Sequence, residues 1–272
     1  MTRFVDKTVW ITGASSGIGQ ALAEAFAAEG AHIILSGRRM DALETVASGI
    51  ETDTLVLPFE ATDYDALPQA VDTAWTWKGR VDILVNNAGV SQRSLAIDTD
   101  PEVYRDLINI DLIAPIWLTQ LQLKRMSEAG GAHIIAISSV AGRIGAPMRT
   151  AYSAAKHGLI GYMDALRAEA ATVHNIKITN VLPGSVATNV SRNAFTADGS
   201  KRGMSDSAIE GGDSPADCAA AILDAVVTEA PELLFAKGME LDAAKLRHAD
   251  PDAFFNLIAD VGAQVARSQS SS

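Results

Sequence analysis

Several things are scarce in this chain. One cysteine, Cys218, in 272 residues allows no internal disulfide. The five histidines show none of the spacings that hold zinc, so no metal site is expected. Positive charge is in short supply: 22 basic residues against 33 acidic ones leave a net charge of −11. A nucleic-acid backbone would be repelled overall by such a chain. No apolar run approaches the ~18 residues of a membrane helix, and Met1-Thr2-Arg3-Phe4-Val5-Asp6-Lys7 lacks a signal-peptide core. A cytoplasmic protein with no membrane or nucleic-acid partner is expected. What is present in quantity is apolar side chain, 48% of the residues, which excludes a disordered chain and suffices for a large core.

Short β-branched runs alternate with helical patterns. The runs are Thr8 to Thr12, His32 to Leu35, Thr54 to Leu57, Ile83 to Val85, His133 to Ile137 and Lys177 to Val181, with a weaker one at Glu232 to Phe235. Helix periodicity falls near 18–29, 40–48, 64–77, 101–127, 151–174 and 215–229. This order predicts an α/β fold, a doubly wound parallel sheet of about seven strands flanked by helices, with ligands at the carboxyl ends of the strands. No linker divides it, so residues 1–272 read as one domain. The irregular stretch 189–214 is long enough to be a functional loop or lid. Ser214 and Pro215 mark a helix start, and 268–272 reads as a frayed tail.

The first strand runs into Thr12-Gly13-Ala14-Ser15-Ser16-Gly17-Ile18-Gly19 and then a helix. Glycines in such a turn let the backbone approach a pyrophosphate at the helix N-terminus, although the Gly-x3-Gly-x-Gly spacing departs from the common dinucleotide fingerprint. The second strand ends at Ser36-Gly37-Arg38-Arg39, where an acid for the adenosine ribose would ordinarily stand. Two cations before a helix are disfavoured by its dipole and suggest a bound anion such as the 2′-phosphate of NADP; two solvated surface arginines are the alternative. Phe59-Glu60-Ala61 and Asn86-Asn87-Ala88-Gly89 close the third and fourth strands with turns that suit either a flat ring or ordinary turn chemistry.

Tyr152 and Lys156 stand four residues apart on a helical pattern, which puts them on one face. An ammonium beside a phenol favours the phenolate and moves it toward acid–base use. In isolation the pair equally fits an amphipathic helix.

Taken together, Thr12 to Gly19, Asn86 to Gly89, Ser139, Tyr152 and Lys156 resemble the short-chain dehydrogenase/reductase family in its single-domain subgroup, most closely between about residues 5 and 188. The resemblance implies a hydride-transferring oxidoreductase interconverting an alcohol and a carbonyl, with NADP(H) preferred over NAD(H). Tyr152 would be the general acid or base, Lys156 would bind the nicotinamide ribose, and Ser139 would position the substrate oxygen. Gly13, Ser15, Ser16, Gly17, Ile18, Gly19, Arg38, Arg39, Glu60, Ala61, Asn87, Ala88 and Gly89 would hold the nucleotide. Pro183, Gly184, Val186 and Thr188 would lie against the nicotinamide. Residues 91–99, 140–149 and 189–214 would border the substrate, a small molecule, with Phe195, Met204 and Met148 as apolar contacts. The long helices near 101–127 and 151–174 would pair into a homodimer or homotetramer. One departure stands out: the position where the family carries a relay asparagine holds Asp111, with Asn109 two residues out of register. A cofactor-binding regulator without catalysis is the competing reading, and an isomerase or epimerase a third.

Overall fold

The computed structural model describes residues 2–269. Seven strands form one wholly parallel sheet in the order β3-β2-β1-β4-β5-β6-β7. They are β1 (Thr8–Thr12), β2 (His32–Ser36), β3 (Thr54–Val56), β4 (Ile83–Asn86), β5 (Ala132–Ile137), β6 (Ile176–Pro183) and β7 (Glu232–Phe235). Parallel neighbours require crossovers, and helices supply them on both faces. Among these are α1 (Gly17–Ala28), α2 (Met40–Ser48) and α3 (Leu67–Lys78). Further along come α4 (Pro101–Ile108), α5 (Ala114–Glu128), α6 (Thr150–His174), the short α7 (Ser207–Glu210) and α8 (Pro215–Val227).

Strand alternation divides the core into two layers. Val9, Ile11, Ile33, Leu35, Ile83 and Val85 pack with Leu22 and Phe26 of α1 and Ile222 and Leu223 of α8. Trp10, Ile34, Leu84 and Ile134 point the other way, toward Val71 of α3, Leu118 of α5 and Leu159 and Met163 of α6. All five residues of β1 are buried, as a central strand covered on both faces demands. The strand order reverses direction between β1 and β4, which opens the crevice where ligands bind in such sheets.

Two features depart from the expected pattern. The single helix expected over 101–127 is interrupted, because Asn109–Ile113 form a π-helical turn between α4 and α5. Pro115 offers no N–H to the carbonyl of Asp111, and the chain instead closes a wider ring from Ala114 N–H to Asn109 O. After β7, where no helix was expected, α9 (Gly238–Ala249) and α10 (Pro251–Gln269) follow. Ala244 and Phe254 of these helices pack on Val140 and Ile144. Ser268 and Gln269 thus belong to α10 rather than to a tail, and positions 270–272 lie outside the described residues. The start of α8 follows expectation, with the Ser214 hydroxyl accepting the Asp217 N–H at 3.0 Å.

Candidate active site

The turn after β1 is held by a small hydrogen-bond lattice. Gly13 and Gly17 have φ of +65° and +59°, a region costly for side-chain-bearing residues. Thr12 Oγ1 accepts N–H bonds from Asn87 at 3.0 Å and Ala88 at 3.1 Å, which ties this turn to the one after β4. The Asn87 amide donates back to Thr12 O at 2.9 Å and Gly13 O at 3.2 Å. The backbones lie so close that a Cβ on Gly13 would stand 2.9 Å from Ala88 Cα. Below the rim, Asn86 donates to Thr119 Oγ1 at 2.9 Å. Helix α1 begins at this turn with no side-chain cap and no acid in its first turn, so its terminal N–H groups remain able to receive an anion.

At the tip of β2 the guanidinium of Arg39 donates to Ser15 Oγ at 3.1 Å, bridging the second strand to the glycine turn. Arg38 is largely exposed, with Nη1 3.6 Å from Glu60 Oε2. Two arginines, one serine and one acid therefore surround this corner of the cleft.

At the other end, α6 carries Tyr152 and Lys156 on the same side. Lys156 Nζ lies 5.6 Å from the Tyr152 ring centroid, donates to Ile137 O at 3.1 Å and stands 3.3 Å from Asp111 Oδ2. Burial works to lower the Lys156 ammonium, but Asp111 and the Tyr152 hydroxyl outweigh it and hold the group above its ordinary value. Asp111 is fully buried. Burial raises its carboxyl above the usual range, against the opposing pull of Lys156 and of the Val90 N–H, which donates to Oδ1 at 2.8 Å. Asn109 turns away from the cleft and accepts the Tyr64 hydroxyl at 3.0 Å. Ser139, capping a 3₁₀ turn after β5, accepts the Ala141 N–H at 3.1 Å and faces Pro183 O at 3.4 Å.

These groups line one cleft of about 430 Å³, within the range of small-molecule and cofactor sites. Its walls include Gly13, Ser15, Ser16, Gly17, Ile18, Arg38, Arg39, Glu60, Ala61, Asn87, Ala88 and Gly89 toward one end. Asp111, Ser139, Tyr152, Lys156, Pro183, Gly184, Val186 and Thr188 stand toward the other. Gly19 alone of the expected set stands behind the wall, where a Cβ would overlap Gly13 O and the Asn87 amide. Its role is to let the helix approach the turn.

The cleft thus has a glycine turn at the β1/β4 crevice and serine, tyrosine and lysine at its far end. Residues 7–199 fit the family model described as short chain dehydrogenase. The chain belongs to the short-chain dehydrogenase/reductase family. Among curated short-chain dehydrogenases, it is 38% identical to dehydrogenase/reductase SDR family member 7B of Bos taurus over 92% of this chain and 80% of that one. It is 37% identical to the dehydrogenase/reductase SDR family protein 7-like of Anopheles gambiae, over 92% and 81%. A short-chain dehydrogenase from Streptomyces avermitilis superposes with a TM-score of 0.82 at 30% identity, covering 96% and 98% of the two chains. A Burkholderia phymatum short-chain dehydrogenase/reductase solved in complex with NAD has the same fold, with a TM-score of 0.81 at 20% identity over 93% and 96%.

The loop expectations divide. Asn189, Asn193, Phe195, Lys201 and Ile209 of the 189–214 stretch reach the cleft, but no residue of 91–99 or 140–149 forms its wall. Those segments support the loop instead: Arg93 N–H donates to Phe195 O at 2.8 Å and Ser94 N–H to Met148 O at 3.2 Å. Met148 occupies a left-handed turn at φ +61°, and Met204 is exposed. Arg202 pairs with Asp206, which also receives Arg93 Nε at 2.6 Å. Two supporting residues were not legible beforehand. Arg93 is buried under the loop. Glu240 of α9 accepts both the Ser185 N–H at 2.7 Å and the Ser185 hydroxyl at 2.9 Å, bracing the Pro183–Thr188 segment. An acid in a segment with no expected helix gave no signal. Among the described residues no cluster of His, Cys, Asp and Glu suits a metal ion, and no helix is long and apolar enough to cross a membrane.

Proposed function

We propose that this short-chain dehydrogenase/reductase interconverts a small alcohol and carbonyl using NADP(H) in preference to NAD(H). The observation that carries the reading is that one cleft holds a backbone cradle for a pyrophosphate at one end and Ser139, Tyr152 and Lys156 at the other. The residues fit a dinucleotide: a Cβ on Gly13 would close the space beside Ala88, and the open N-terminus of α1 favours phosphate. Gly13 to Ile18 would take the pyrophosphate, and Glu60 and Ala61 would border the adenine. Asn87 to Gly89 and Lys156 would face the nicotinamide-side ribose, with Pro183 to Thr188 against the ring. When bound, the nicotinamide supplies or accepts the hydride.

This chain's own part is to hold an oxygen and move a proton. In reduction the Ser139 hydroxyl donates to the carbonyl oxygen and orients it, and the Tyr152 hydroxyl gives that oxygen its proton as the carbonyl carbon gains hydride. In oxidation the Tyr152 oxygen takes the proton from the alcohol. The Lys156 ammonium, fixed by Ile137 O, stabilises negative charge on the Tyr152 oxygen in either direction.

NADP preference is supported by the Ser15, Arg38 and Arg39 corner, where two cations meet one partly exposed acid. A 2′-phosphate would gain charge-assisted hydrogen bonds there. The test is a comparison of NADP with NAD in Arg38→Asp, using nucleotide titration and a carbonyl panel. A shift of selectivity toward NAD is expected; unchanged selectivity overturns the NADP reading.

A further inference from the structure

In the cleft floor, Asp111 presents Oδ2 to Lys156 Nζ at 3.3 Å, and its other oxygen takes the Val90 N–H at 2.8 Å. Both carboxyl oxygens thus face donors, the arrangement that suits the ionised acid. Oδ2 has no hydrogen bond beyond that ion pair, although Asp111 is wholly enclosed. The side chain is held in the π-helical turn around Pro115, which sets Asp111 and Ile110 into the cleft while Asn109 faces Tyr64. A carboxylate here is more than a filler: it places a negative charge against the ammonium that governs the Tyr152 oxygen.

We propose that Asp111 is a positioning residue that offsets the pull of Lys156 on the Tyr152 oxygen, biasing the site toward donating a proton to a carbonyl rather than removing one from an alcohol. The inference rests on the oxidoreductase reading above. Without Asp111, the ammonium at 5.6 Å from the tyrosine ring would act unopposed and favour the phenolate. With it, the phenol stays protonated to higher pH, so reduction persists and oxidation awaits more alkaline solution. Few other charges compete. Ser139 brings none. The Pro183–Thr188 segment brings Glu240 of α9, whose two oxygens are taken by the Ser185 N–H and hydroxyl. His157, next to Lys156, bonds through Nδ1 to Ser153 O on its own helix. Lys201 enters from the loop, and Arg38, Arg39 and Glu60 stand at the nucleotide corner.

The test compares wild type with Asp111→Asn, and with Asp111→Ser should the first not fold. One arm follows kcat/KM against pH in both directions. Loss of the charge is expected to move the alkaline fall of reduction and the rise of oxidation to lower pH together, by about one unit or more. A uniform loss of rate with unmoved midpoints would mean a structural role only and overturns the proposal. The second arm needs no substrate: the chain is labelled at tyrosine Cζ, the Tyr152 signal is assigned with Tyr152→Phe, and its carbon shift is titrated. A midpoint that falls in the Asp111 variants supports the proposal, and an unchanged or rising one overturns it. If neither protein turns over any alcohol or carbonyl, the functional reading fails while this arm still decides the role of Asp111.

Discussion

The closest packing in the nucleotide end of the cleft is at Gly19, and adding one methyl group there tests whether that packing matters. Gly19 is buried in the first turn of α1, and a Cβ would overlap both Gly13 O and the Asn87 amide while standing 3.0 Å from the Gly13 carbonyl carbon. Backbone cannot yield as a flexible side chain can, so Gly19→Ala must push the helix off the turn or break the Asn87 bonds to Thr12 and Gly13. Overpacking of this kind costs about 1–3 kcal/mol. In a chain of this size that corresponds to a melting temperature lower by roughly 2–4 °C per kcal/mol. Displacing α1 also misaligns its N–H groups, so NADP affinity should fall about tenfold or more, equivalent to ~1.4 kcal/mol. Gly161→Ala is the internal control. That glycine lies in α6 with nothing within 4 Å of its Cβ position, and alanine there should be neutral or stabilise by up to about 1 kcal/mol. Thermal unfolding and nucleotide titration of the two variants side by side give the answer. Equal melting temperatures and equal NADP affinities would refute the argument.

Three further outcomes are expected. Burial pushes the imidazole of His133 down to about 4, against ~6.5 in an unfolded chain. The unfolded state therefore binds the extra proton within that window, and stability present above its upper limit is lost as pH falls through it, by up to about 3 kcal/mol. His133→Asn should flatten that dependence relative to wild type, and parallel denaturation curves across the window would count against it. Arg93→Gln removes the buried cation that meets Asp206 beneath the 189–214 loop, so limited proteolysis within the loop should accelerate severalfold; an unchanged cleavage rate would mean that Arg202 and Arg149 hold Asp206 without it. At the nucleotide corner, Arg38→Asp should move cofactor selectivity toward NAD, as described above.

Much of the fold was legible because each strand of a doubly covered parallel sheet must be apolar on both faces, as Thr8–Thr12 is. The cradle was legible because glycine at φ +65° and +59° leaves its mark as residue identity. Other parts were hidden for physical reasons. The π-helical turn at Asn109–Ile113 keeps a helical pattern of apolar residues, and only Pro115 hinted at a break. Helices α9 and α10 went unread although α10 keeps an amphipathic pattern: no further strand follows β7 to call for a crossover, and the surface they cover, Val140, Ile144 and the end of β7, is assembled from distant parts of the chain. The Arg93–Asp206 pair joins positions 113 residues apart, a proximity that no local periodicity encodes. Asp111 was visible as an unusual residue, but its direct approach to Lys156 emerged only from the geometry.

The central claim is that Tyr152 moves the proton in a nicotinamide-dependent reaction. Its most direct test is Tyr152→Phe, which keeps the ring in place against Val103 and Leu107 and removes only the hydroxyl. Turnover with NADPH and a responsive carbonyl should fall about 10²–10⁴-fold, while calorimetric NADP affinity stays within a few-fold of wild type. A variant that binds NADP and reduces the carbonyl at near wild-type rate would contradict the account.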